Sequence, residues 1–429
     1  MQREHHRQKH GKAPTVEQHA DAQARRVGNG SRPATTSRFV VPPPFRFWLL
    51  LAHAAGQPGA KPARMKILHL LGAAEDHGGI VSVVRGIQAA TAADGLRHAV
   101  WVNSAFVNRR SPALDLRPNR FALDEAASHP RLLLRAALAL PGLFRLLRTE
   151  PFDVVHAHTR GGFAAAMLLN RLFGRRLLFT NHTYANRTGL YRGAAAWPGF
   201  NTVVLTPNMA KHYGVVPDEP KVSVISACGG NAFWQVPPVT AAQSSPLRLV
   251  GVGNLVRWKN WHLLLEALAG LPADFSSQWQ FELWGPTPED PAAKAYAAEL
   301  GVLAARPELA GRVHLRGPTT DVIGALRGAN WFVLPSTNEP CSVALIEALA
   351  LGLPAVVSAS GGNVDILRPE HTGVFFRPDD AADLRRQLAR VLRGEVAVAS
   401  PEAIRGSVGG RTASAVGAEY HRLYRRLAG

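Results

Sequence analysis

Cysteine is nearly absent from this 429-residue chain: Cys228 and Cys341 are the only two. That excludes a disulfide scaffold and any zinc module built on cysteine. Lysine is scarce too, eight residues against 41 arginines. The formal net charge of +18 therefore reflects arginine-biased coding as much as a binding surface. No nucleic-acid motif accompanies that charge, so no nucleic-acid partner is expected. The apolar run Phe45–Leu51 near the N-terminus is far too short to span a bilayer, and no repeat of 20 to 50 residues is visible. What the chain does have is length for more than one core and 46% hydrophobic residues, the balance of a globular protein.

The charge is uneven. Residues 1–64 hold eleven Lys/Arg and three Asp/Glu, a net of +8. Their one apolar run, Phe45–Leu51, follows Pro42-Pro43-Pro44. Such a segment buries too little to offset chain entropy, and it is expected to be a disordered basic tail. Ala52-His53-Ala54 offers a cleavage-like tripeptide, but the long basic lead and weak apolar region argue against export. Met65 is the alternative functional start.

From residue 65 onward, apolar strand-like runs alternate with helical stretches. The runs are Lys66–Leu71, Ala99–Val102, Val154–His158, Leu177–Thr180, Val203–Leu205 and Val222–Ile225. Across a Pro/Ser-rich linker, Val236–Pro246, a second series follows: Leu247–Gly251, Gln280–Trp284, Val313–Leu315, Trp331–Leu334, Ala355–Val357 and Gly373–Phe375. Alternation of this kind predicts an α/β protein of two tandem Rossmann-like, doubly wound domains, 65–240 and 247–405, facing a central cleft. Such folds bind ligands at the carboxyl ends of their strands. A helix over Ala415–Leu427, within 411–429, is expected to cross back to the first domain.

The most informative stretch runs from Pro335 to Leu349. A strand ends at Leu334, a polar loop follows, and a helix opens near Ser342, presenting N–H groups suited to a diphosphate. Glu339 lies in the loop and Glu347 inside the helix. Two carboxylates so placed can hold the hydroxyls of one elongated ligand. Equally, Glu339 caps the helix and Glu347 faces water.

Glu339 to Glu347 with its flanks resembles the E-x7-E motif of family 4 retaining glycosyltransferases of the bacterial cell-surface polysaccharide type, which have the GT-B fold. The resemblance continues through Gly352–Ser358 and Gly361-Gly362, and back over Phe281–Gly285 and Val313–Gly317. It implies that Glu347 binds the nucleotide ribose and that Glu339 contacts the donor sugar. Asn338, Cys341, Ser342 and Val343, around the helix opening, are then donor-binding. The stretch Gly251–Asn260 resembles the family's G-R-L-x-x-x-K pattern, which places Lys259 on the diphosphate. The family's arginine is replaced by Asn254, and Arg257 is the candidate to supply the missing charge. Arg316 either meets the nucleobase or is solvated. In the first domain, Gly78 and Gly79 open a helix after the first strand and allow close backbone approach to the donor. The resemblance assigns His182 to the sugar and the catalytic pocket.

The expected activity is therefore transfer of a hexose or similar sugar, with retention, from a nucleotide diphosphate sugar to a glycan or lipid-linked acceptor. The expected location is the cytoplasm or the inner face of the membrane. No cofactor is expected. No D-x-D tripeptide occurs, which fits a metal-independent reaction. His156 and His158 share one face of a strand, yet no carboxylate or cysteine stands at ligand spacing, so no metal site is expected. His158–Gly162 and Tyr184, Asn186, Arg187, Tyr191 and Trp197 either line the acceptor side or pack on the domain. Arg131, Arg135, Arg145 and Arg148 flank the leucines of 132–147, a pattern of a surface helix or a peripheral membrane contact, with Pro141-Gly142 expected to interrupt it. The rival readings are a nucleotide-sugar epimerase, a phosphorylase, or a non-catalytic glycan-binding protein of the same fold, the last kept open by Asn254.

Overall fold

The computed structural model describes residues 65–429 apart from 75, 77–78, 122, 124–128, 174–176, 218–220 and 240–245. The basic segment 1–64, Gly78 and part of the expected linker therefore lie outside the described residues.

Two wholly parallel sheets form. The first holds β1 (Lys66–Leu70), β2 (Arg97–Asn103), β3 (Asp115–Asn119), β4 (Val154–Ala157), β5 (Leu177–Asn181), β6 (Phe200–Val204) and β7 (Val222–Val224). Their order is β3-β2-β1-β4-β5-β6-β7. The second holds β8 (Leu247–Val252), β9 (Trp279–Trp284), β10 (Val313–Gly317), β11 (Trp331–Leu334), β12 (Ala355–Ser358) and β13 (Gly373–Phe376), ordered β10-β9-β8-β11-β12-β13. Most central strands are apolar along their length because helices cover both faces, as parallel sheets require: β11 and β12 are buried at every position. In each sheet the order reverses beside the first strand, between β1 and β4 and between β8 and β11. In this architecture ligands bind outside the strands' carboxyl ends at such switch points.

Three local features differ from expectation. The edge strand β3, of sequence DLRPN, has no apolar run to announce it; it forms by pairing with β2. Its proline is tolerated because an edge strand leaves one row of N–H groups unpaired. Helix His129–Thr149 runs unbroken through Pro141. Pro141 and Gly142 sit on the exposed face, as does Ala137, whose carbonyl the proline leaves without a helical donor, so water can reach it. Arg316 belongs to β10 itself, where the register with β9 slips between Leu315 and Gly317.

The last helix, Ala413–Ala428, packs on the first domain against helix Gly79–Thr91. Gly417 makes this possible, since a Cβ there would lie 2.1 Å from the Ala90 Cβ. Tyr420 and Tyr424 enter the core under the first sheet, where Tyr424 Oη lies 2.7 Å from His156 Nδ1 and Tyr420 Oη 3.0 Å from Thr180 Oγ1.

Candidate active site

The second switch point gathers the charged groups. After β8 the chain makes a short turn, Arg257–Lys259, and enters helix Trp261–Ala269 through Asn260 in a left-handed conformation. Lys259 is thereby turned inward and buried. After β11 the loop 335–342 carries Glu339 inward as well. The Lys259 Nζ lies 2.7 Å from Glu339 Oε2, with both side chains about 10% exposed. The ammonium also sits 4.5 Å from the Trp258 ring centre, a cation–π contact. The two loops are tied together directly, Thr337 N donating to Trp258 O at 3.1 Å.

The Glu339 loop is clamped from the far side by Gly361-Gly362. Gly362 N donates to Glu339 O at 2.7 Å. A Cβ on Gly361 would lie 2.4 Å from that oxygen, and one on Gly362 would lie 2.2 Å from Pro340 O. Only glycine allows so close an approach of two backbones. The helix Val343–Ala350 opens at the end of the loop. Ser342 caps it, its Oγ accepting from Leu345 N at 3.2 Å. Helix geometry then leaves the first N–H groups, those of Val343 and Ala344, available to an anion.

Glu347 projects toward the other half of the protein. Its Oε1 accepts from Gly230 N at 3.4 Å, and Gly229 lies against its side chain. Burial pushes its carboxyl up to about 7, with the Gly230 N–H opposing. Asn338 is exposed in a left-handed conformation. Cys341 is buried, its Sγ 3.5 Å from Ser226 Oγ and 3.8 Å from the Arg411 guanidinium.

Four further predicted residues have surroundings of their own. Arg257 is exposed, pairs with Glu299 (Nη1 to Oε1 2.9 Å) and stacks 4.5 Å from the Tyr296 ring centre. Its guanidinium is thus engaged with these two partners rather than with Asn254 or Lys259. Asn254 is half-buried; its carbonyl accepts from Trp261 Nε1 at 3.1 Å. Arg316 is exposed and paired with Glu282 on β9 at 2.7 Å. Gly79 opens its helix in open space, where a Cβ would touch nothing, so close backbone contact within the protein does not explain it.

The first switch point combines buried neutral imidazoles with one buried ion pair, Asp76–Arg85. His182 follows β5 and is buried, and its Nε2 lies 3.2 Å from His158 Nδ1. Burial lowers its pKa to about 3. His69 and His156, paired across β1 and β4, join His158 in a buried cluster whose ligand atoms lie within 4.8 Å of one another. All three are held well below the ordinary histidine range, chiefly by burial. Asp76 is the residue the sequence did not flag here. It is buried before helix Gly79–Thr91, accepts from Arg85 Nη2 at 2.8 Å, and takes the backbone N–H groups of Arg109 and Arg110 at 2.6 and 3.0 Å. It locks the loop beyond β2 onto that helix. Tyr191 packs in the aromatic core beside Phe163 and Phe179, while Tyr184 Oη donates to Asn208 Oδ1 at 2.8 Å.

The two switch points, one in each domain, thus carry a lysine–glutamate pair and a buried histidine, a composition suited to a ligand that is both anionic and rich in hydroxyls. The family comparisons agree. Residues 233–405 match the model "Glycosyl transferases group 1", and residues 78–216 match "Glycosyl transferase 4-like domain". The chain belongs to the GT-B, family 4-like glycosyltransferases. It is 28% identical over 146 residues to the lipopolysaccharide core biosynthesis glycosyltransferase LpsE of Rhizobium meliloti, an alignment covering 34% of this chain and 39% of LpsE. Matches to the first curated relatives thus span well under half of their length. Among solved structures, sucrose-phosphate synthase of Thermosynechococcus elongatus superposes with a TM-score of 0.72 at 21% identity, covering 85% of this chain and 99% of that one. Anabaena HepE in complex with UDP-glucose superposes at 0.64 with 16% identity, covering 84% and 100%. At these identities the likeness concerns the fold.

Proposed function

We propose that the protein moves a sugar from a nucleotide diphosphate sugar to a hydroxyl of a glycan or lipid-linked acceptor, with retention and without a metal, in cell-surface polysaccharide synthesis. The observation that carries this is the Lys259–Glu339 pair set before a capped helix N-terminus at a switch point. A diphosphate seated on the Val343 and Ala344 N–H groups brings anionic oxygens that compete with Glu339 for the Lys259 ammonium. Lys259 then stabilises the leaving diphosphate, and Glu339 is freed to accept from sugar hydroxyls. Glu347 accepts from the ribose hydroxyls once ionised. The departing diphosphate takes the acceptor proton on the same face, and no carboxylate nucleophile is invoked. UDP-glucose bound in a fold neighbour supports a nucleotide-sugar donor.

A peripheral membrane contact is part of the same proposal. Helix His129–Thr149 buries Leu132, Leu143 and Leu147 but leaves Leu133, Leu134 and Leu138 more than half exposed beside exposed Arg131, Arg145 and Arg148. Among the described residues no helix is long and apolar enough to cross a membrane. Sedimentation with phosphatidylglycerol vesicles, lost in Leu134→Glu/Leu138→Glu, tests this contact.

The activity is tested with a panel of UDP, GDP and ADP sugars, with and without EDTA. One nucleotide class turning over in EDTA, with the donor's anomeric configuration kept in the product, supports the proposal. Inversion, or full loss in EDTA restored by a divalent metal, overturns the corresponding part.

A further inference from the structure

Four histidines and one threonine form an unbroken hydrogen-bonded line beneath the first sheet. Thr91 Oγ1 lies 2.7 Å from His98 Nε2. His98 Nδ1 is 2.9 Å from His69 Nε2, and His69 Nδ1 is 2.9 Å from His158 Nε2. His158 Nδ1 is 3.2 Å from His182 Nε2. The line runs across β2 and β1 to the residues directly after β4 and β5, which are neighbours in space though its members are spread in sequence from His69 to His182. Parallel pairing makes this possible by aligning one face of adjacent strands.

The line has a direction, and its far end sets it. Thr91 Oγ1 also lies 2.7 Å from Ile87 O, one turn back in its helix. Two oxygens that close need a hydrogen between them, and a carbonyl has none to give. The threonine hydrogen is therefore committed to Ile87, and His98 Nε2 must donate to Thr91. Burial holds His69 and His158 well below the ordinary range, His98 at about 4 and His182 at about 3, so each imidazole is neutral with one N–H. With Nε2 of His98 donating, its Nδ1 accepts from His69 Nε2, and the same assignment repeats through His158 to His182.

We propose that Thr91, His98, His69 and His158 are positioning residues that hold His182 in the Nε2–H tautomer and leave its Nδ1 as a bare acceptor for a ligand hydroxyl. A ring nitrogen's proton is set by the bond the other nitrogen makes. Here the bond is transmitted through three further rings. His182 Nδ1 has no partner among the described residues. The line also accounts for the buried cluster without a metal. Both nitrogens of His69 and His158 are used in it, and those of His156 are taken by Tyr424 and Thr180 at 2.7 Å each. The role of Nδ1 toward a substrate rests on the transferase reading; the tautomer does not.

The test uses the full chain labelled with 15N-histidine and no substrate. Long-range 1H–15N spectra are recorded from pH 6 to 8, with the His182 signals identified by their loss in His182→Gln. The expected wild-type pattern is a protonated Nε2 and an unprotonated Nδ1 throughout. Thr91→Val, a near-isosteric change that removes the terminal oxygen, should mix the His182 tautomers, and Thr91→Ser should restore one. With a donor that turns over, Thr91→Val should lower kcat about tenfold, the scale for an orienting partner, with donor KM within about twofold. Thermal unfolding of both variants checks that the fold persists. A proton on Nδ1 in the wild type, or His182 signals unchanged in Thr91→Val, overturns the proposal. So does a stoichiometric metal on the cluster by elemental analysis. The expected spectra without turnover of any donor would instead leave the relay standing and sink the transferase reading.

Discussion

The two switch points of this protein solve the same problem with opposite materials. The second places full charges, Lys259 and Glu339, on loops that follow the two adjacent central strands β8 and β11, one of them clamped by a glycine pair. The first, apart from the Asp76–Arg85 ion pair, places uncharged imidazoles on and just beyond its strands and sets their direction from a threonine at the far end of the line. A charged pair is suited to a diphosphate, whose charge changes as it leaves. A neutral, oriented ring is suited to hydroxyls, which need a defined donor and acceptor. The contrast suggests a division of labour between the halves, phosphate in one and sugar in the other.

That contrast can be broken at several points. The largest expected effect is on turnover. Lys259→Ala and Glu339→Ala should each lower kcat by about two orders of magnitude or more, the cost of losing an electrostatic group in a preorganised site. Steady-state assays against the wild type check it, and a loss below about fivefold would show that the charges do not act on the leaving group.

Next comes acid stability. His69, His98, His156, His158 and His182 all have folded-state pKa values depressed by burial. The unfolded chain binds protons at these sites below about 6.5, and the folded chain does not. Stability is therefore fully present above that pH and falls as pH drops toward 4. Each histidine contributes a limiting slope of about 1.4 kcal/mol per pH unit. Urea midpoints from pH 8 to pH 5 should decline steeply, and a flat profile would contradict the neutral cluster.

Glu347 should show the opposite sign. Its carboxyl is raised to about 7, so the folded state binds the extra proton between the ordinary carboxylate range and neutrality. Stability at this site falls as pH rises through that window. Glu347→Gln should therefore unfold a few degrees higher than wild type at pH 8 and match it near pH 4.5. The same variant should bind donor more weakly at pH 8, where the wild-type carboxylate is ionised; calorimetric titration reads both pH values. The smallest effect is expected at Arg257. Because it is exposed and engaged by Glu299 and Tyr296, Arg257→Ala should change kcat/KM by less than about twofold. A tenfold loss would mean that it moves to the diphosphate when donor binds.

The halves also differ in how far they could be read from sequence. Glu339, Ser342 and Glu347 lie within nine consecutive residues, and the helix opening beside them is a local signal. The two domains were legible for the same reason, through apolar runs separated by helical lengths. The imidazole line was not. Its members, at 69, 98, 158 and 182, become neighbours only through the strand order β2-β1-β4-β5, a long-range property. His156 and His158 were visible as a pair, but not their partners. Strand β3 was hidden because an edge strand needs no continuous apolar face, and the Pro141 helix because a proline on the solvent side breaks no buried bond. Asp76 was hidden because its partners Arg85, Arg109 and Arg110 arrive from another loop and helix.

The most direct test of the whole account is sugar transfer by the wild-type chain and by Lys259→Ala, each with the nucleotide sugar that best stabilises the wild type to heat. Product is followed by NMR at the anomeric carbon. The account predicts a product of retained configuration from the wild type and a rate lower by about two orders of magnitude from the variant. Equal rates from the two proteins, or an inverted product, would contradict it.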